Sequence, residues 1–255
     1  MKQNNLKLLA KYLDKKILES KNFSNKPFDH FYVDNFLPLK FANLCEKSFP
    51  DLKNFKWDHK KIDNIEIKHR SIWKSEFDIP DNIVDIVRIL NSSIILKILS
   101  KVFKIEKILP DPYFMGGGLN ISEKGGALGT HIDGNYNDRT GLNRRLNAII
   151  YLTKNWKKNY GGELGFYNYN GKKLIKNIEP RFNRLVVFNT NDYSYHGIPN
   201  KINYPRTNPR KSIILYYYTK AKREKSETKI SKPHSALWVK RKYKDHKNKS
   251  TRGYF

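Results

Sequence analysis

The sequence predicts a mainly β fold with flanking helices, in which strands of the second half close into a barrel or jelly roll behind an N-terminal helical region. Two observations carry this. From Pro110 onward the chain reads as short apolar runs punctuated by glycine: YFMGGGLNI, ALGTHID, RLNAIIYL, GELGFYN, KKLIKNI, NRLVVFN, YHGIP and SIILYYYT. Closely spaced runs of this kind belong to an antiparallel barrel or sandwich, not to an alternating α/β sheet. Before Pro110 the apolar residues recur every three or four positions, which is the helical period.

Taken in order, Leu6, Leu9, Leu13 and Ile17, with Tyr12 beside them, share one face of an amphipathic helix over residues 6–18. PFDHFYVDNFLP reads as a short aromatic-rich β segment and LKFANLCEKSF as a helix after it. A polar stretch follows. IPDNIVDIVRILNSSIILKILSKVF, headed by a proline and an aspartate, reads as one or two helices packed against a sheet. The chain thus divides into an N-terminal helix over residues 1–26, a catalytic-sized domain over 27–224 with its β core at about 110–220, and a basic C-terminal extension over 225–255.

Composition narrows the class. With 255 residues, 38% of them hydrophobic, the chain can bury one sizeable core. Cys45 is the single cysteine, so neither an intramolecular disulfide nor a thiolate metal cluster can form. The first twenty residues carry charges every few positions and no apolar run reaches spanning length, so a soluble cytoplasmic protein without a secretory signal or membrane span is expected. The formal charge of +26 would draw nucleic acid, a ribosome, anionic surfaces or acidic partners at low salt. Coding bias in a chain rich in Lys, Asn and Ile would produce the same charge, and no RNA-binding or helix-turn-helix signature accompanies it. The densest run, KRKYKDHKNKSTR, reads as a solvated tail.

The stretch GTHIDGN carries the chemistry. If ALGTHID is one strand, His131 and Asp133 point to the same face and Ile132 to the other. The alternative is two polar residues on the wet side of a surface segment, and a third ligand is needed to choose. His196, after RLVVFN, supplies it. Two histidines and a carboxylate on adjoining strands make the facial triad of non-haem Fe(II), with three coordination positions left open. His30, His59, His69, His234 and His246 have no such partners at strand spacing and read mostly as surface residues. Arg210, opening RKSIILYYYT, can hold a carboxylate bidentately on a strand entering the same barrel.

His131, Asp133, His196 and then Arg210 followed by Lys211 and Ser212 resemble the HxD…H…RxS pattern of the Fe(II)- and 2-oxoglutarate-dependent dioxygenases, in their prolyl-4-hydroxylase-like branch. AIIYLTKNW, YGGELGFY and IEPRFNRLVVF are similar to that branch's strand, glycine turn and strand before the distal histidine, and the resemblance runs from about Pro27 to about Lys220. It implies a double-stranded β-helix of jelly-roll, cupin-like type. It also implies that His131, Asp133 and His196 bind Fe(II), and that Arg210 pairs with the distal carboxylate of 2-oxoglutarate with help from the Tyr151 hydroxyl. Leu164 and Ile214 would line the cosubstrate pocket. Asn147 stands where relatives often have threonine. O2 is the second cosubstrate and ascorbate an optional addition.

The reaction so implied is oxidative decarboxylation of 2-oxoglutarate to succinate and CO2, coupled to hydroxylation of a C–H bond. A carboxylate at Asp133 favours hydroxylation over the halogenation done by relatives that lack it. A prolyl residue of a protein leads as substrate by resemblance. A small metabolite, a sugar, a lipid or a nucleic-acid base stays open, as does a non-enzymatic basic binding module with a vestigial metal site. The loop GNYNDRTGLNRR reads as longer than a tight hairpin, either closing over substrate or merely mobile.

Overall fold

The computed structural model describes residues 1–20, 22–53, 55–62 and 65–239. In chain order these form α1 (Gln3–Leu18), β1 (His30–Val33), α2 (Leu39–Lys47), β2 (Asp58–Ile62), β3 (Glu66–Arg70), α3 (Ile83–Leu90), α4 (Ser93–Phe103), β4 (Leu109–Pro110), β5 (Gly118–Ser122), β6 (Ala127–Leu128), β7 (His131–Ile132), β8 (Tyr136–Asn137), β9 (Leu142–Tyr151), β10 (Leu164–Tyr167), β11 (Leu174–Ile178), β12 (Arg184–Asn189), β13 (His196–Gly197), β14 (Arg210–Thr219) and β15 (Leu237–Trp238). The antiparallel, mainly β architecture with four helices is the one the glycine-punctuated runs predict. No helix among the described residues is long and apolar enough to cross a membrane.

Two sheets face each other. The larger has the order β1-β12-β9-β14-β5-β3-β2, with β4, β6 and β8 attached at its margins, and the smaller the order β11-β10-β13-β7-β15. Alternation along the central strands builds two cores. Leu146, Ala148 and Ile150 of β9, Leu185 and Val187 of β12, and Ile213, Leu215 and Tyr217 of β14 face the helices and bury against Leu13 and Ile17 of α1, Ile83 and Ile86 of α3, and Ile95 and Leu99 of α4. Each leucine, isoleucine or valine among them contributes roughly 1.5–3 kcal/mol of burial. The opposite faces of the same strands, through Ile149, Tyr151, Val186 and Phe188, meet Leu164, Phe166 and Ile178 of the smaller sheet.

The apolar run 79–103 forms two helices, within the one or two expected, with a break at Asn91, and the Ser92 side chain caps the second by accepting from the Ile95 amide. Other features around it depart from the sequence reading. The polar stretch before it holds the hairpin β2–β3, which extends the larger sheet at β5. DHKKI and EIKHR are rich in charge, and Asp58, His59, Lys61, Ile62 and all five residues of β3 are half-buried or exposed, a pattern suited to an edge but invisible to a search for apolar alternation. ALGTHID is two strands: β6 pairs with β3 in the larger sheet and β7 with β13 and β15 in the smaller. The chain changes sheets at Gly129, whose carbonyl oxygen would lie 2.7 Å from a Cβ placed at Gly197. GNYNDRTGLNRR forms the hairpin β8–β9, with Tyr136 opposite Asn143 and Asn137 opposite Leu142. The Asn137 side chain accepts from the Arg139 and Thr140 amides and Gly141 takes a φ of +70°, so the turn is short and tied.

His30 is buried, His59 and His69 face each other across β2–β3 with rings 4.6 Å apart, and His234 borders the main cavity. Position along the sequence gave no sign of these three settings. His246 and the charged run at 240–252 lie outside the described residues. Residues 225–239, read as the start of a basic extension, fold back on the smaller sheet, where Trp238 pairs with His131. Two residues of strand are too few for a periodic signal.

Candidate active site

A cavity of about 670 Å3 opens between the two sheets. Its floor is one face of three adjacent strands. On β14 the even-numbered residues Arg210, Ser212, Ile214, Tyr216 and Tyr218 all point into it. Their partners in register are Asn147 and Ile149 of β9 and Asn120 of β5: Tyr216 sits opposite Asn147, Ile214 opposite Ile149 and Ser212 opposite Asn120. Leu164 and Ile198 close it from the smaller sheet.

His131 on β7 and His196 on β13 are direct cross-strand partners, and their rings lie 4.4 Å apart. Asp133 follows β7 and reaches both: its Oδ1 is 3.6 Å from His131 Nε2 and its Oδ2 3.6 Å from His196 Nε2. One ligand atom from each residue falls within 4.8 Å of the others, so the three can hold a single metal ion. Each histidine turns its Nδ1 to a backbone carbonyl two residues earlier, Gly129 for His131 and Ser194 for His196, both at 2.9 Å. Donation there leaves the Nε2 lone pair free toward the metal position.

Protonation favours the same role. Burial, reinforced by His131, lowers His196 to about 4, which keeps it neutral. Burial alone would raise the Asp133 carboxyl, but His196, His131 and Arg144 outweigh it and hold that carboxyl well below its usual range. A carboxylate and a neutral imidazole are the forms a divalent ion requires. Asn147 donates from Nδ2 to Asp133 Oδ2 at 2.6 Å, which gives this residue a positioning role.

Of the residues implied for the cosubstrate, Arg210, Leu164 and Ile214 line the cavity. Arg210 is buried, and its Nε donates to the Gly162 carbonyl at 2.9 Å, which leaves the two Nη groups for a ligand. Tyr151 does not line the cavity. It lies fully buried behind Arg210, whose guanidinium sits 4.9 Å from its ring centre. Burial raises the Tyr151 hydroxyl, so it stays protonated. Asn120 Oδ1, Asn147 Oδ1 and Ser212 Oγ are buried at the cavity without hydrogen-bond partners. Buried polar atoms of native proteins are nearly always paired. The Ser212 hydroxyl can donate to a carboxylate, so a dicarboxylate between the triad and Arg210 would answer Ser212 and Arg210 together, whereas the two asparagine oxygens are acceptors and suit a donor such as water.

Sequence reasoning missed two contributors. Arg144 lies 3.8 Å from Asp133 and 3.9 Å from the Tyr216 ring centre. Strict alternation back from Asn147 would put Arg145 in the cavity, but β9 carries a bulge: Tyr217 pairs with Leu146 and Tyr218 with Arg144. The extra residue reverses the faces from that point. Trp238 stacks on His131 from the far end of the described chain, with ring centres 4.4 Å apart and planes at 29°, and nothing local to either residue signals it.

Comparison with known proteins agrees with this geometry. Residues 117–218 match the 2OG-Fe(II) oxygenase superfamily. The resemblance read from the motifs is thereby borne out, and the superfamily implies Fe(II), 2-oxoglutarate and O2. Two relatives are prolyl 3-hydroxylases named OGFOD1: that of Mus musculus is 29% identical over 79 residues, 29% of this chain and 14% of the relative, and that of Xenopus laevis 37% identical over 59 residues, 22% and 12%. The matched stretches thus cover a small part of those relatives. A Pseudomonas putida prolyl-4-hydroxylase shares the fold at TM-score 0.55 and 12% identity, over 82% of this chain and 98% of its own.

Proposed function

We propose that this protein is a cytoplasmic Fe(II)- and 2-oxoglutarate-dependent dioxygenase that hydroxylates a prolyl residue in an exposed protein segment. The observation that carries the reading is the placement of His131, Asp133 and His196 around one point on the same cavity as Arg210. The three ligands would hold Fe(II) by one face, leaving positions for the cosubstrates. When bound, Fe(II) with 2-oxoglutarate and O2 supplies an oxidant able to hydroxylate a C–H bond, with release of succinate and CO2. The chain's own residues do the rest. Arg210, through its free Nη groups, binds the distal carboxylate and sets the cosubstrate's direction. Ser212 donates beside it, and Tyr151 holds the guanidinium from behind. Asn147 and Arg144 fix Asp133, so the carboxylate keeps one orientation while cosubstrates exchange. Ile149, Leu164, Ile198 and Ile214 exclude water around the reacting atoms.

A prolyl substrate is supported by the likeness to the prolyl 3-hydroxylases OGFOD1 and to the Pseudomonas putida prolyl-4-hydroxylase. The charge of +26 favours acidic segments, or proteins bound to nucleic acid such as ribosomal ones, by steering the encounter. The test is to incubate the protein with Fe(II), 2-oxoglutarate and lysate from its own source, then map oxygen additions by mass spectrometry against an Asp133→Ala control. Hydroxylated prolines dependent on Asp133 are expected. Additions confined to small metabolites would discard the prolyl substrate and keep the oxygenase. No succinate from 2-oxoglutarate under any condition would discard both.

A further inference from the structure

We infer that residues 223–239 are a fixed strap of the active site, in which Trp238 is a positioning residue for the metal ligand His131. This rests on the reading of His131, Asp133 and His196 as a metal centre.

Three knots fasten the strap. Asp192, 1% exposed and four residues before His196, accepts from Arg223 Nη1 at 2.8 Å, from the Lys229 and Ile230 amides at 2.7 and 2.8 Å, and contacts His234 Nε2 at 3.5 Å. Glu227 accepts from Arg145 Nη2 at 2.9 Å and Asn189 Nδ2 at 2.8 Å. The β9 bulge thus sends Arg144 to the cavity and leaves its neighbour Arg145 to the strap. Asn135, two residues after Asp133, accepts from the His234 amide at 2.9 Å and donates to the Lys232 carbonyl at 3.1 Å. Beyond these knots β15 pairs with β7, and the Val239 amide donates to Thr130 at 2.9 Å.

The result is a wall. His234, Ser235 and Trp238 line the cavity, and Trp238, 6% exposed, covers the His131 ring. The glycines that bracket the motif make room for it. A Cβ at Gly134 would lie 2.9 Å from the His234 carbonyl oxygen, and one at Gly129 3.4 Å from the Trp238 ring. With Nδ1 tethered to Gly129, the His131 ring can still tilt about that bond. The stacked indole removes this freedom. Outer contacts of this kind typically change metal affinity by about 10–100-fold.

The experiment titrates the full-length protein with Co(II) alone and follows both calorimetric affinity and tryptophan emission. Trp238 is the one tryptophan lining the cavity among the described residues, so Co(II) should quench emission in the wild type and much less in Trp238→Phe. Phenylalanine keeps a stacking face, so Trp238→Phe should bind Co(II) within about threefold of the wild type, whereas Trp238→Ala should bind at least about tenfold more weakly. Equal affinity in wild type and Trp238→Ala overturns the inference alone. Should Trp238→Ala not fold, quenching that persists unchanged in Trp238→Phe overturns it as well. A wild type that binds no Co(II) overturns the metal-centre reading and this inference together.

Discussion

Replacing Arg210 separates cosubstrate from metal. Its Nε is committed to the Gly162 carbonyl, so the two Nη groups are what a carboxylate would meet. Each charge-assisted hydrogen bond of this kind is worth about 1.5–3 kcal/mol. Arg210→Ala removes two of them, a loss of about 3–6 kcal/mol, which corresponds to about 10²–10⁴-fold weaker 2-oxoglutarate binding at tenfold per 1.4 kcal/mol. Arg210→Lys keeps the charge but loses the fork and the tether to Gly162, and should cost about one of the two bonds, or about 10–100-fold. Tyr151→Phe should weaken binding in the same direction by less. The assay is calorimetric titration of 2-oxoglutarate into Co(II)-loaded protein, with Co(II) affinity measured separately on each variant. Co(II) affinity should stay within a few-fold of the wild type, because Arg210 is not among the metal-ligating group. Unchanged 2-oxoglutarate affinity in Arg210→Lys and Arg210→Ala, or parallel losses of metal and cosubstrate, would refute the assignment.

Alanine at His131, Asp133 or His196 should abolish succinate formation with the far-UV spectrum of the apo-protein retained, and near-native turnover in any of them removes that residue from the site. Ile150→Ala, at a side chain 1% exposed between Leu185 and Ile213, should destabilise the fold by about 2–5 kcal/mol in denaturant unfolding with little change in metal affinity of the folded protein. Burial lowers His30 below its ordinary 6.5, so the unfolded chain takes up a proton first as pH falls. Stability should therefore drop on acidification from about pH 7 to about pH 5, and His30→Phe should lessen that drop in paired unfolding curves. Deleting residues 240–255, which carry the densest basic run, should reduce polyanion binding and flatten its salt dependence without altering 2-oxoglutarate turnover.

The legible part of this molecule is what repeats locally. The alternation in RLNAIIYL and SIILYYYT placed the central strands, and HxD with a later His and Arg placed His131, Asp133, His196 and Arg210 on one cavity. What stayed hidden depends on events that leave no periodic trace. The β9 bulge exchanges Arg145 for Arg144, the sheet switch at Gly129 splits one apparent strand in two, and the β2–β3 edge hairpin is built of charge. The contact between Trp238 and His131 joins residues more than a hundred positions apart, and no spacing rule reaches that far. Tyr151 lies fully buried against Arg210, on the same strand face as Ile149.

The alternation along β14 also bears on how such a protein can change. Ile213, Leu215 and Tyr217 belong to the core against the helices, while Arg210, Ser212, Ile214, Tyr216 and Tyr218 form a track along the cavity that also holds His131, Asp133 and His196. Folding and selectivity are written on alternate letters of one ten-residue word. A lineage, or a laboratory library, can therefore rewrite 214, 216 and 218 to reshape the chamber and leave the odd letters to keep the barrel closed.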